Sequence, residues 1–352
     1  MPYDPFPRGD FPVGVRHVDL DDDGRGIPLE IWFPATEQYH GQDLAADTQD
    51  VISFDPPNPW RPRRQAAVRN ATPKGDDVFP LVIYSHGATD SRFSAGFLAT
   101  HLANHGYVVA AADHPGDNKI VDPGDQYDLA PLRETRPRDV RFVTDRLLAG
   151  AAGDGIRFDA ERIGLTGVSF GGWTTLMMLQ EDDRFSAAVP LTPGLGDSPL
   201  SPGMADNRAV LNLDAWPRPV PTLLVAGDRD ALVLIDAMRA LFHDLPEPRR
   251  MVEIHNIGHF QFVEHCEERH DAFVEQLRVE GAFTPGIDVE VMLRTVGRHE
   301  DMLATDKAHA VMQALLLGHM DAHLKGNGDA ASYLASDLEN RMADHGVKVA
   351  VA

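Results

Sequence analysis

The sequence predicts an α/β protein built on a mostly parallel central sheet with helices on both faces. Three observations predict it. From Phe79 onward, short apolar runs of strand length (81–85, 107–112, 162–166, 186–191, 221–226 and 250–254) alternate with longer runs of helical character. The strand runs are apolar nearly throughout, as expected for strands covered on both sides. Finally, Ile163-Gly-Leu-Thr-Gly167-Val-Ser169-Phe-Gly171-Gly-Trp-Thr places a Gly-X-Ser-X-Gly segment where a strand run passes into a helix run.

Composition bounds the rest. The 352 residues are 43% apolar, enough for one large core, and the expected organisation is a single domain over 1–352. Net charge is -22, from 54 acidic against 32 basic residues. That sign disfavours a nucleic-acid partner, since phosphate binding needs the opposite charge. No apolar run reaches membrane-spanning length, so no membrane span is expected. The opening Met1-Pro-Tyr-Asp-Pro-Phe-Pro-Arg shows no basic region followed by an apolar core. With a single cysteine, Cys266, this sets the expectation of a cytoplasmic protein, monomeric or homodimeric.

Taken in order, residues 13–20 and 29–33 read as two strands, and the turn-prone Asp21-Asp-Asp-Gly-Arg-Gly26 between them makes an antiparallel pair. Residues 35–78 are polar and rich in proline, with Asp55-Pro-Pro-Asn-Pro-Trp60 at their centre, and read as a loop excursion along one side of a cleft. Then follow strand 81–85, a helix from Ser94 to Asn104, strand 107–112, a loop to Pro131, and a helix from about Arg138 to Leu148. Strand 162–166 leads through the glycine turn into helix 172–180 and strand 186–191. Residues 192–219 read as a second loop excursion. Strand 221–226, helix 233–242 and strand 250–254 complete the sheet, with 250–254 read as its last strand. Residues 261–304 read as a helical insertion over the cleft, and a helix from about Thr305 to Leu324 closes the chain.

The glycine turn carries the first chemical signal. A serine on a tight strand-to-helix turn has its oxygen pushed into a cleft, and flanking glycines let strand and helix cross closely. Such a serine needs a base, a group to orient that base, and donors for an oxyanion. The strand run ending at Ala226 opens into Gly227-Asp228-Arg229-Asp230, and the one ending at Ile254 opens into His255-Asn-Ile-Gly258-His259. Asp230 is favoured over Asp228 because it lies past the turn and can reach back. His259 is favoured over His255 because His255 finishes the strand and His259 follows Gly258 into the loop. The oxyanion donors fall to the backbone amides of Ala88, in Ser85-His-Gly-Ala88, and of Phe170. His86 reads as a structural hydrogen bonder in that loop. A metal reading rests on His255, His259, His265, Cys266, Glu267, Glu268 and His270, but their spacing matches no zinc motif.

Together these residues resemble the α/β-hydrolase superfamily, and more narrowly the group of platelet-activating-factor acetylhydrolases and predicted dienelactone hydrolases. The resemblance rests on Ser85-His-Gly-Ala88, on His101-Leu-Ala-Asn-His-Gly-Tyr-Val-Val-Ala-Ala-Ala-Asp-His-Pro-Gly116, on the run from Arg138 to Leu147, on Gly167-Val-Ser-Phe-Gly-Gly172, and on Ala322-His-Leu-Lys-Gly326. It implies a Ser169, Asp230 and His259 triad with Ala88 and Phe170 as oxyanion amides. It also implies hydrolysis of small ester substrates with short to medium acyl groups, without metal or organic cofactor. True dienelactone hydrolases use a cysteine nucleophile, so the serine here points away from that reaction. Polyester or amide cleavage by the same residues, a metal-dependent hydrolase and a non-catalytic binding protein on this fold are the alternatives.

Overall fold

The computed structural model describes residues 2–54, 60–118, 128–196, 198–201, 203–281 and 288–352. Parts of the expected excursions, at 55–59, 197, 202 and 282–287, lie outside the described residues, as does 119–127 of the loop read after strand 107–112.

Two long antiparallel strands open the fold, β1 (Val13–Asp22) and β2 (Arg25–Pro34), in register from Val13 opposite Pro34 to Asp22 opposite Arg25. The expected link at 21–26 is mostly strand. The turn is only Asp23-Gly24, both at positive φ (54° and 86°), which suits the twist of a two-residue hairpin. Residues 35–78 are more than a loop. They hold a small hairpin of β3 (Asp50–Ile52) and β4 (Arg63–Gln65), and β5 (Val68–Arg69) joins the main sheet beside β1. Polar bonds tie this segment down. Buried Trp32 donates to Gln65 (2.7 Å), Gln65 to Asp50 (2.5 Å), and Arg69 pairs with Asp50 and Glu30.

The rhythm then follows the expectation: β6 (Phe79–Ser85), α1 (Gly96–Asn104), β7 (Val108–Ala112), α2 (Ala130–Leu148), β8 (Phe158–Val168), α3 (Phe170–Glu181) and β9 (Phe185–Leu191). Helix α2 starts eight residues before the expected Arg138. Two prolines are accommodated in it, Pro131 in the first turn, where its missing N–H costs nothing, and Pro137 inside. The 192–219 excursion carries a short helix, α4 (Ala205–Ala209). Next come β10 (Thr222–Gly227), α5 (Ile235–Asp244), β11 (Arg249–Ile254), α6 (Cys266–Glu280), α7 (Val289–Val296) and α8 (Thr305–Leu324). Two expectations fail at the end of the chain. Helix α8 is followed by α9 (Gly328–Ala335) and α10 (Leu338–Asp344). Strand β11 is not the last, because β12 (Val349–Val351) pairs antiparallel along its free edge.

The main sheet runs β12-β11-β10-β9-β8-β6-β7-β2-β1-β5, with the six strands from β11 to β7 mutually parallel. Its two faces are covered separately. Along β6, Val82 and Tyr84 pack with α1 and α8, while Leu81 and Ile83 pack with α2. The chain leaves β6 toward β7 and returns on the other side as β8. That reversal opens a crevice at the carboxyl ends of β6 and β8, where ligands of open α/β sheets bind.

Candidate active site

Ser169 sits between β8 and α3, at the mouth of that crevice. Its backbone is at φ 56°, ψ −118°, a region an L residue occupies only when its surroundings enforce it. Here three bonds enforce it. Ser169 N donates to Leu191 O (3.0 Å), and Ser169 O accepts from Trp173 N (3.0 Å) and Gly194 N (2.7 Å). The expected need for glycine on either side is met by contact. A Cβ on Gly171 would stand 1.9 Å from Ser85 O, and one on Gly167 would stand 2.5 Å from Gly171 O.

Asp230 and His259 come together from the loops after β10 and β11. His259 Nδ1 lies 2.7 Å from Asp230 Oδ2. Thr192 Oγ1 donates to the same oxygen at 2.7 Å, and the N–H groups of Leu232 and Val233 donate to Oδ1 at 2.9 and 2.8 Å. The carboxylate is fully buried with each oxygen doubly bonded, so its position is fixed and so is the ring it holds. The rival pair is real but separate. His255 Nδ1 meets Asp228 Oδ2 at 2.8 Å, with both side chains over a quarter exposed. Both aspartate–histidine pairs thus exist, and the one with Asp230 and His259 opens on the same cavity as Ser169.

That cavity measures ≈ 430 Å³. Ser169, His259 and Ala88 lie on its wall, together with an apolar lining that includes Leu129, Met204, Phe260 and Phe273. Phe273, with Arg269 and Gln276, comes from α6, so the expected helical insertion contributes wall to the cavity. Arg269 is held at the rim by Asp90 (2.7 Å) and by the ring of Trp60 (4.8 Å from the guanidinium carbon). Phe170 is the first residue of α3, so its N–H has no acceptor within the helix. Ala88 follows Gly87 in the loop after β6 and lines the cavity.

His86 is placed as a structural group. It is wholly buried, its Nε2 accepts from His114 N (3.1 Å), and its Nδ1 therefore carries the proton donated to Gly87 O (2.7 Å). Burial first, then the Arg136 guanidinium, push its imidazole well below the usual range and keep it neutral. The residues of the metal reading do not assemble. Among the described residues no group of three His, Cys, Asp or Glu is placed to hold an ion. Cys266 is buried against Thr305 Oγ1 (2.9 Å), and desolvation pushes its thiol up to about 11.

Sequence reasoning missed Thr192, Arg136 and Asp117. Thr192 follows β9 as Asp230 follows β10, so position past a strand's carboxyl end was the available signal. Asp117 fell in the loop read to Pro131 and Arg136 between that loop and the helix expected from about Arg138, and nothing local marks them as partners.

Comparison with known proteins agrees with this architecture. The family model of platelet-activating factor acetylhydrolase, isoform II, matches residues 17–121, and that of the prolyl oligopeptidase family matches residues 91–195. Similar proteins include a cutinase, est1, of Thermobifida alba, 27% identical over 192 residues, covering 53% of this chain and 56% of the relative. A bis(hydroxyethyl) terephthalate hydrolase of Streptomyces coelicolor is 29% identical, covering 54% and 53%. The platelet-activating factor acetylhydrolase of Canis lupus familiaris is 23% identical, covering 53% and 54%. The chain thus spans about half the length of these relatives. Among solved structures, a ferulic acid esterase from Streptomyces cinnamoneus superposes with TM-score 0.61 at 24% identity, covering 90% of this chain and 91% of the other. In the described residues no helix is long and apolar enough to cross a membrane.

Proposed function

We propose, from the premise that this chain belongs to the α/β-hydrolase superfamily, that it is a serine carboxylic-ester hydrolase acting on small esters with short to medium acyl groups. One observation carries the reading. A strained, cavity-facing serine shares its pocket with a histidine whose far nitrogen is held by a buried, fully bonded aspartate.

In this reading Ser169 Oγ attacks the ester carbonyl while His259 Nε2 takes its proton. Asp230, bonded to Nδ1–H, keeps that tautomer and stabilises the imidazolium that forms. The negative charge moves to the carbonyl oxygen, where the N–H groups of Ala88 and Phe170 receive it. Collapse breaks the bond to the alcohol, which leaves with the proton from His259. Water, deprotonated by the same histidine, then attacks the acyl-serine, releases the acid and returns the proton to Ser169. No step calls for a metal or organic cofactor. The cavity wall of leucine, methionine and two phenylalanines suits an apolar acyl or alcohol portion, and among the described residues that line it Asp90 and Arg269 are paired with each other. We place the protein in the cytoplasm, as a monomer or homodimer.

The test is hydrolysis of p-nitrophenyl acetate, butyrate and octanoate by the wild type and by Ser169→Ala. The reading expects activity on at least the shorter esters and its loss in the variant. Ester hydrolysis that survives Ser169→Ala would sink it. A second reading, polyester or other aromatic ester cleavage, is favoured by the similarity to cutinases and to a terephthalate ester hydrolase. It predicts higher kcat/KM on aromatic diesters than on p-nitrophenyl alkanoates.

A further inference from the structure

We propose that Arg136 is a positioning residue that aims the Ala88 N–H into the active-site cavity, with Asp117 as its anchor; this rests on the serine-esterase reading above. The guanidinium is wholly buried on α2, beneath the loop that follows β6. Its Nη1 donates to His86 O at 2.6 Å and its Nη2 to Gly87 O at 2.9 Å. Two successive carbonyls are thus drawn to one planar cation.

The consequence follows from peptide geometry. In a trans peptide the C=O and the following N–H point in opposite directions. The only cis bond among the described residues is Glu247-Pro248, so the Gly87–Ala88 unit is trans. Gly87 O faces the buried guanidinium, and the Ala88 N–H therefore faces away from it, on the side where Ala88 lines the cavity with Ser169. Gly87 O also accepts from His86 Nδ1 at 2.7 Å, so losing the guanidinium removes one of its restraints, and glycine, which populates either sign of φ, then turns more easily.

Asp117 completes the clamp. Its Oδ2 takes Arg136 Nε at 2.7 Å and Nη2 at 2.5 Å, a two-pronged pair with neither side chain exposed. Its Oδ1 accepts the Thr89 N–H at 2.7 Å. The next amide along the loop is thereby tied to the same anchor, and Thr89 itself is held at φ 57°. The guanidinium carbon also lies 4.7 Å from the centre of the Phe170 ring. One cation thus holds the carbonyl of the Gly87–Ala88 peptide and lies against the Phe170 ring, next to both proposed oxyanion donors. A lysine cannot reproduce this, because a single ammonium lacks the planar fork that reaches two carbonyls and a carboxylate together.

A merely structural arginine would lower stability when changed; a clamp must also weaken binding of the transition state. The experiment compares wild type, Arg136→Lys, Arg136→Met and Asp117→Asn on p-nitrophenyl butyrate. It reads kcat, KM, melting temperature, and the Ki of an alkyl trifluoromethyl ketone, whose hemiketal oxyanion needs the same donors. The clamp predicts a fall in kcat of about 10²-fold in Arg136→Met, the scale of losing one oxyanion donor. KM should hold within about threefold, since binding of the ground state is spared. The ratio of Ki to KM should rise in step with the loss of kcat, with Arg136→Lys between Met and wild type. Folded Arg136 variants whose Ki/KM stays at the wild-type value would overturn the proposal. If both Arg136 variants fail to fold, Asp117→Asn decides it: the side chain keeps an oxygen for Thr89 while the charge on the arginine is uncompensated. A raised Ki/KM there supports the clamp, and an unchanged one overturns it. Hydrolysis that persists in Ser169→Ala would instead bring down the esterase reading and the clamp with it.

Discussion

Two sets of serine, histidine and aspartate stand in this molecule, each with an aspartate on its histidine's Nδ1. In one, Ser169 shares a cavity with His259, whose Nδ1 meets Asp230 at 2.7 Å. In the other, Ser85 Oγ lies 2.9 Å from His114 Nε2, and His114 Nδ1 lies 3.2 Å from Asp139. The second set is the more complete by hydrogen bonds alone, yet it has no room for a substrate. Ser85, His114 and Asp139 are all buried, and Ser85 ends a central strand with its carbonyl against Gly171. Asp139 is turned to structural duty by Arg25 at 2.8 Å. Burial first, then Arg136 and Arg25, push the His114 imidazole well below its usual range. It is a neutral bridge, unsuited to taking a proton. What separates the two serines is the backbone under them. Ser169 is lifted into the crevice by an enforced positive φ, and Ser85 is held in the plane of the sheet.

The comparison breaks first at the serines. Ser169→Ala is expected to cost at least about 10⁴ in kcat, as triad members act together. Ser85→Ala should change kcat by less than about tenfold while lowering stability by about 1–3 kcal/mol, because His114 Nε2 loses its partner. Thermal melts beside kinetics on p-nitrophenyl butyrate check both, and an inactive but fully stable Ser85→Ala would reverse the assignment.

The two aspartates after β10 offer the next contrast. Asp230→Asn should reduce kcat by about 10²- to 10⁴-fold, since an amide supports the wrong imidazole tautomer. Asp228→Asn disturbs the partly exposed His255 and the Asn256 N–H that Asp228 also accepts, both away from Ser169, and should leave kcat within about threefold of wild type. Comparable losses in the two variants would mean that the pair facing the cavity is not the working pair.

Gly171→Ala probes the turn itself. A Cβ there would lie 1.9 Å from Ser85 O, a backbone atom that cannot swing aside. The expected cost is about 3 kcal/mol or more in chemical denaturation, with activity lost alongside, because α3 must pull away from β6. A variant of wild-type stability would show that strand and helix do not cross so closely.

The smallest effect concerns pH. Desolvation, and then the neighbouring His105 and His323 respectively, hold His101 and His319 down to about 3. The unfolded chain binds these protons near the ordinary imidazole value of about 6.5, so it carries more protons than the fold at any pH between the two values. Stability from these groups is therefore fully present above about pH 6.5 and is lost as pH falls toward 3. His319→Gln should flatten the decline of the melting temperature between pH 6.5 and 4; an unchanged slope would contradict the burial argument.

Much of this was legible in the chain because buried parallel strands write themselves as contiguous apolar runs. Leu81 to Ser85, Ile163 to Thr166 and Thr222 to Ala226 all fall inside observed strands. The cavity-facing residues were legible because the architecture sets them at strand ends, where Ser169, Asp230 and His259 indeed lie. Other features left weaker marks. Pro131 and Pro137 disguised the first half of α2, and with it Arg136. Strand β12 is three residues long and exists by pairing with β11, so no local pattern announces it. The buried set of Ser85, His114 and Asp139 joins residues separated by up to 54 positions, and only the folded sheet brings them together.

The central claim is that Ser169, and no other serine, is the nucleophile. It is tested most directly by treating the protein with a fluorophosphonate and mapping the adduct by mass spectrometry. The account predicts a single adduct on the peptide bearing Ser169, absent in Ser169→Ala and retained in Ser85→Ala. An adduct on Ser85 or any other serine, or esterase activity left intact after Ser169 is fully labelled, would contradict it.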